Sequence, residues 1–197
     1  MAPVPRSALP SGGSIILLNG ASSSGKTSLA KALRSALPQQ HYLHVQLDTF
    51  REMEPVGYFG REQAAAWSLR VAALCRAMHA TVAEYAAHGQ NVIWDHVLSD
   101  DDAWHYLLED LHGQRLYLIG IRCAVDELVR RELARGNRPH GLAQSQVASV
   151  HEGREYDLSV DTTRSNPAEC AEAIVQWLQG EPEPSAFARM RARQNAA

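Results

Sequence analysis

Short apolar runs that stop at Gly, Asn or Asp alternate along this chain with longer stretches whose apolar residues recur at helical spacing. Ser14-Ile-Ile-Leu-Leu-Asn19 ends at Gly20 and predicts a strand, and the segment after it predicts a helix to about Leu37, where Pro38 interrupts it. Tyr42 to Leu47 alternates and is rich in strand formers, so a second strand is expected to end at Asp48. An Ala-rich pattern from Glu62 to about His88 predicts a long helix with Gly89 as its stop. Asn91-Val-Ile-Trp94 predicts a third strand terminating in Asp95, and Ser99-Asp-Asp-Asp102 predicts the cap of a helix to about Leu111. Arg115 to Ile121 is the fourth expected strand, followed by a helix from Val125 to Arg135 that Gly136 cuts off. Beyond a polar loop to Gly141 come another helix, a short strand at Leu158-Ser-Val160 and a closing helix from Pro167 to Leu178.

Strands alternating with helices of this length predict an α/β fold, a five-stranded parallel sheet with helices on both faces. A length of 197 residues fits one domain, placed at 14–179, with a small lid near 130–142 and loose termini at 1–13 and 180–197. The net charge of -3 provides no broad basic field, so no nucleic-acid partner is expected and any anion site must be local. No apolar run approaches the ~20 residues that cross a bilayer, and the N-terminus lacks a secretory apolar core, so no membrane partner and a cytoplasmic location are expected. Cys75, Cys123 and Cys170 form no CxxC pair and are expected to be buried thiols, and the histidines show no metal-ligand spacing. Trp67, Trp94, Trp104 and Trp177 sit mostly in apolar patterns and are expected in the core.

Chemistry enters at Gly20-Ala21-Ser22-Ser23-Ser24-Gly25-Lys26-Thr27, which satisfies the G-x-x-x-x-G-K-[ST] phosphate-loop pattern between a strand and a helix. Loop amides at the positive end of a helix can curl around phosphate oxygens, Lys26 can neutralise the outer phosphates and the Thr27 hydroxyl can bind Mg2+. The fold expected is therefore that of P-loop NTPases, resembling nucleotide and shikimate kinases, with ATP and Mg2+ as cofactors. Asp95, at a strand end, is a candidate second Mg2+ ligand or an ordinary turn residue. Asp48, also at a strand end, is a candidate base for a substrate hydroxyl or a helix-capping residue. Arg130, Arg131, Arg135 and Arg138 are either a closing lid that balances charge on a transferred phosphoryl group or a solvated helix face. His151-Glu-Gly-Arg-Glu-Tyr156-Asp157 is polar and unusual, and spacing alone gives it no chemistry.

Ile16-Leu-Leu-Asn-Gly20 with the Ser-rich loop, Asp48, Arg131-Glu-Leu-Ala-Arg135-Gly-Asn-Arg138, His151 to Asp157 and Val160-Asp-Thr-Thr163 together resemble the chloramphenicol phosphotransferase family, over most of residues 14–178. The resemblance implies an ATP-dependent kinase acting on a hydroxyl of a small molecule, with Asp48 as the base facing that hydroxyl. It likewise implies that Arg131, Arg135 and Arg138 belong to the nucleotide lid. The stretch Thr49 to Arg70 is shorter than the family's substrate-covering insertion; its Phe50, Met53, Tyr58 and Phe59 either suit a neutral aromatic acceptor or simply pack the domain. Other readings of the same parts are a kinase of a nucleoside, sugar nucleotide or different antibiotic, and a nucleotide-gated regulatory NTPase. The absence of an N-K-x-D guanine-reading motif weighs against the last.

Overall fold

The computed structural model describes residues 12–55, 64–111, 113–136 and 141–196. Five parallel strands, β1 (Ser14–Asn19), β2 (Tyr42–Gln46), β3 (Asn91–His96), β4 (Arg115–Arg122) and β5 (Leu158–Asp161), pair in the order β2-β3-β1-β4-β5. Ile15, Ile16, Leu17 and Leu18 are fully buried, which suits only a central strand covered on both faces. Alternate side chains of β1 feed separate cores: Ile15 and Leu17 join Trp94 and Leu118 on one face, Ile16 and Leu18 join Ile93 and Ile119 on the other.

Helices α1 (Lys26–Ala36) and α7 (Pro167–Gln179) cover the second face, α1 through Leu29, Ala30 and Leu33 at helical spacing. Asn166 and Glu169 form a capping box at the start of α7, and Pro167 occupies its first turn. The first face is covered by α3 (Ala64–Ala87), which brings Met78, Val82 and Ala86 to the core, and by α4 (Asp101–Asp110). As the sequence predicts, Asp100 caps α4 by accepting from the Ala103 N–H at 2.8 Å. Two further helices, α5 (Val125–Arg135) and α6 (Leu142–Val150), pack together at the C-terminal end of the sheet and enclose Ala21 with Leu128, Ala143 and Val150. Among the described residues no helix is long and apolar enough to cross a membrane.

Three boundaries differ from the expectation. β2 stops at Gln46, and Asp48 lies in the first turn of a short helix, α2 (Leu47–Glu52), where a carboxylate suits the helix N-terminus. β3 continues past Trp94 because its pairing with β1 runs on to Asn19 opposite His96, so Asp95 lies within the strand. The C-terminal stretch expected to be loose holds α8 (Ala186–Ala196), whose Ala186, Phe187 and Met190 are buried in the first-face core. Of the cysteines, Cys170 is buried and Cys75 and Cys123 are half-buried.

Asp157 fastens α8. One carboxylate oxygen accepts from the backbone N–H groups of Ser185 and Ala186 at 2.8 and 2.9 Å, and the other accepts from Leu118 N–H at 2.8 Å. Glu155 adds ion pairs to Arg189 and Arg193. One side chain thus joins β4 to the start of α8 through charge-assisted bonds. Asp157→Ala is expected to lower stability by about 2–3 kcal/mol in urea unfolding, the scale of a lost cap plus a charged hydrogen bond. An unchanged midpoint would remove this role.

Candidate active site

The turn after β1 is built for close backbone approach. A Cβ at Gly20 would lie 2.6 Å from the Ile121 carbonyl, and Gly25 adopts φ +91°, so both positions need glycine. Ser23, also left-handed at φ 61°, is buried, and its hydroxyl forms no hydrogen bond among the described residues. Helix α1 starts at Lys26 with no side-chain cap and no acidic residue in its first turn. An orphaned buried hydroxyl beside uncapped amides at a helix N-terminus fits an anion with several oxygens. Lys26 is 6% exposed and donates to the carbonyls of Gly20 and Ala21 at 2.9 and 2.8 Å, within the same loop.

Thr27 and Asp95 meet beside the loop, the hydroxyl donating to the carboxylate at 2.6 Å. Burial pushes the Asp95 carboxyl up, but the His44 ring 3.6 Å away, the Lys26 charge and the Thr27 hydroxyl outweigh it, and the group is held below its ordinary range. A hydroxyl and an ionised carboxylate are the donor set Mg2+ takes from protein when phosphate and water oxygens complete its shell. Among the described residues no cluster of three or more His, Cys, Asp or Glu side chains competes as a metal site.

These groups open into a cleft of about 600 Å3 at the C-terminal ends of β1, β2 and β3, with Ser22, Ser23, Lys26, Thr27, Asp48, Asp95 and Arg135 on its wall. Ligands collect at this end of an open parallel sheet. Asp48 is half-exposed at the rim with Arg51 4.0 Å away. Arg135, in the last turn of α5, lines the cleft. Arg131 sits behind the loop instead, held by Glu127 at 2.7 Å and the Thr162 carbonyl at 2.7 Å, with one nitrogen 3.5 Å from the Ser24 carbonyl. Bonds from Arg130 and Arg131 lower the Glu127 carboxyl to about 2, which keeps that anchor ionised. Arg138 lies outside the described residues, as do Tyr58 and Phe59 of the aromatic segment.

Several participants carried no sequence signal. Buried Glu132 of α5 accepts from the N–H groups of Gly141 and Ala143 at 2.9 and 3.0 Å, capping α6 in place of a residue of its own. Gln146 of α6 accepts from the Ser22 amide at 2.8 Å, so α6 touches the phosphate loop directly. Trp67, expected in the core, lines the cleft with the Arg51 and Arg70 guanidiniums each 5.0 Å from its ring centre. Phe50 packs into the core instead, and Met53 is 70% exposed away from the cleft. Asn19, fully buried, accepts from Leu98 N–H at 2.9 Å and donates to the Tyr156 hydroxyl at 2.9 Å and the Val150 carbonyl at 3.1 Å. The polar His151–Asp157 segment is thereby a strut: a Cβ at Gly120 would lie 2.9 Å from the Tyr156 ring that packs over it. His79 and His96, both buried, also line the cleft.

The family described as chloramphenicol phosphotransferase-like protein matches residues 13–179 of this chain. A Mycobacterium tuberculosis protein named "Putative O-phosphotransferase Rv2636" is 32% identical over 201 residues, covering 92% of this chain and 89% of the relative. Among solved structures, APS kinase CysC of M. tuberculosis in complex with AMPPNP and APS superposes with a TM-score of 0.65 at 18% identity, covering 86% of this chain and 99% of that one. Shikimate kinase of Acinetobacter baumannii in complex with shikimate gives 0.55 at 15% identity, covering 90% and 98%. At these identities the structures establish the fold: a P-loop kinase architecture, as the sequence pattern predicts.

The buried rings make stability depend on pH. Burial lowers His79 despite its Asp110 partner, burial and the neighbouring His79 lower His96 to about 3, and burial with the Arg122 charge lowers His151 to about 4. Unfolded histidines take protons near pH 6.5, so the folded state binds fewer protons below that value. Stability is therefore complete above about pH 6.5 and falls on acidification, by up to about 1.4 kcal/mol per pH unit for each such ring. Urea midpoints measured from pH 7 to 5 should decline, and the decline should be shallower in His79→Phe; a flat profile would contradict neutral burial.

Proposed function

Since the chain belongs to the chloramphenicol phosphotransferase-like family, we propose that this P-loop phosphotransferase moves the γ-phosphate of ATP to an alcohol of a small molecule. One observation carries the reading: a phosphate-loop cradle with Lys26, Thr27 and Asp95 and a separate carboxylate, Asp48, line the same cleft. Phosphoryl transfer passes through a loose transition state, so the protein mainly aligns the acceptor and balances charge. The loop amides of Gly20 to Gly25 and the Lys26 ammonium hold the phosphates. Thr27 and Asp95 would hold Mg2+, which would neutralise charge on the outer phosphates. Arg135 balances charge from the α5 side, and Arg131 acts by fixing the loop from behind; the family resemblance assigns Arg138 to the nucleotide lid. Asp48 accepts the hydrogen bond of the acceptor hydroxyl and takes its proton as the bond to phosphorus forms.

The acceptor we favour is neutral and partly aromatic, chloramphenicol or a relative, and the reaction inactivates it. Trp67, Val71, Ala72 and Tyr106 supply an apolar wall to that half of the cleft. Arg51, the nearby cation, is turned to Asp48 and Trp67, which suits an acceptor without charge. Dependence on ATP places the reaction in the cytoplasm.

Asp48→Ala is expected to lower acceptor-dependent phosphate transfer at least about a hundredfold, the lower range for loss of a general base, while calorimetry with ATP and Mg2+ shows nearly wild-type affinity. Unchanged turnover would refute the base assignment. Lys26→Ala should weaken both nucleotide binding and turnover, and full activity in that variant would remove the phosphate-loop reading. Slow ATP hydrolysis indifferent to every alcohol in a panel of antibiotics, nucleosides and sugars would favour a regulatory NTPase instead.

A further inference from the structure

Phosphoryl transfer as described above leaves two buried histidines and a half-buried carboxylate without a task. Asp110, at the end of α4, accepts from His79 Nδ1 at 2.9 Å and is itself held by Arg76 at 2.7 Å. His79 Nε2 faces His96 Nε2 at 3.5 Å, and the His96 ring stacks on Trp94, 5.2 Å between centres and 16° from parallel. The chain Asp110–His79–His96 runs from the outer end of α4 to the cleft wall, where His96 is 4% exposed.

Hydrogen-bond polarity fixes the rings. A carboxylate held by an arginine only accepts, so His79 carries its proton on Nδ1 and offers a lone pair at Nε2. His96 Nε2, 3.5 Å from that lone pair, is placed to donate to it, which leaves its Nδ1 a lone pair. Among the described residues nothing donates to that Nδ1, although the ring lines the cleft. A ligand O–H or N–H reaching it would form a hydrogen bond where the ring is already largely shielded from water. The register sets His96 one residue beyond Asp95, which pairs with Gln46, and Asp48 follows two residues after Gln46 in the first turn of α2; both residues line the same cleft, so one small polyfunctional molecule can meet both.

We propose that His96 is a specificity-determining residue whose Nδ1 accepts a hydrogen bond from a second O–H or N–H of the acceptor, so that the preferred acceptor is a diol or an amido alcohol rather than a simple alcohol. His79 and Asp110 are positioning residues that hold the ring in the accepting tautomer. The inference rests on the phosphotransferase reading for the identity of the molecule bound, but the state of the ring can be measured without any acceptor.

Nitrogen-15 NMR of the histidine-labelled free protein should show His96 protonated on Nε2 and bare on Nδ1; a proton on Nδ1 overturns the proposal whatever the enzyme phosphorylates. The second measurement compares ATP-dependent phosphorylation of chloramphenicol with that of its derivatives methylated at the secondary hydroxyl or the amide nitrogen. One methylated derivative should lose about tenfold or more in kcat/KM through KM, the worth of a hydrogen bond to a site that requires it. His96→Phe, which keeps the stack on Trp94, should erase that preference, and His96→Asn, whose amide oxygen replaces Nδ1, should restore part of it. A preference that survives His96→Phe, or its absence in the wild type, overturns the proposal. Failure to phosphorylate any alcohol would overturn the kinase reading, with the NMR result still deciding the tautomer.

Discussion

A single buried carboxamide holds the walls of the cleft in place. Asn19 ends the central strand, and inside the protein its oxygen and nitrogen must both be satisfied. The oxygen takes the Leu98 amide from the loop after β3, and the nitrogen reaches the end of α6 and Tyr156. Gly20, the next residue, begins the phosphate loop. The loop, the β3–α4 connection and the end of α6 are thus set relative to one another by one side chain, with Tyr156 fitting only because residue 120 is glycine.

Around that point α5 and α6 are tied to each other and to the loop by polar contacts rather than by a large apolar interface. Ala21, Leu128, Ala143 and Val150 form the small apolar cluster beneath them. Glu132 joins α5 to α6, Glu127 and Thr162 fix Arg131 against the back of the loop, and Gln146 meets the loop from the front. An assembly with little buried apolar surface opens at lower free energy than the core. The sheet beneath, with both faces of β1 sealed, supplies the rigid platform that chemistry at strand ends requires.

The parts legible in the sequence are those carried by local pattern. The strands and the long helices follow from periodicity, the start of α4 from its acidic cap, and the phosphate loop from eight consecutive residues. Helix α8 was obscured because only its first half carries an apolar stripe, at Ala186, Phe187 and Met190, and its cap, Asp157, comes from far away in the chain. Trp67 was misplaced because an Ala-rich helix gives no sign of which face meets a cleft. The Asn19–Tyr156 contact spans 137 positions, and the pairing of His79 with His96 depends on a helix and a strand whose juxtaposition only the sheet order defines. Arginine spacing alone does not separate Arg135, which lines the cleft, from Arg131, which the anchors Glu127 and Thr162 hold against the loop.

The contact between Gln146 and the Ser22 amide makes anion capture an exchange rather than an addition. Any oxyanion reaching that N–H must evict a neutral carboxamide, and the newcomer prevails by carrying formal charge, since charge-assisted bonds are about twice as strong as neutral ones. The cradle therefore sorts its visitors by ionisation before shape is consulted, and a tightly seated polyphosphate and an undisturbed grip of α6 on this amide are mutually exclusive.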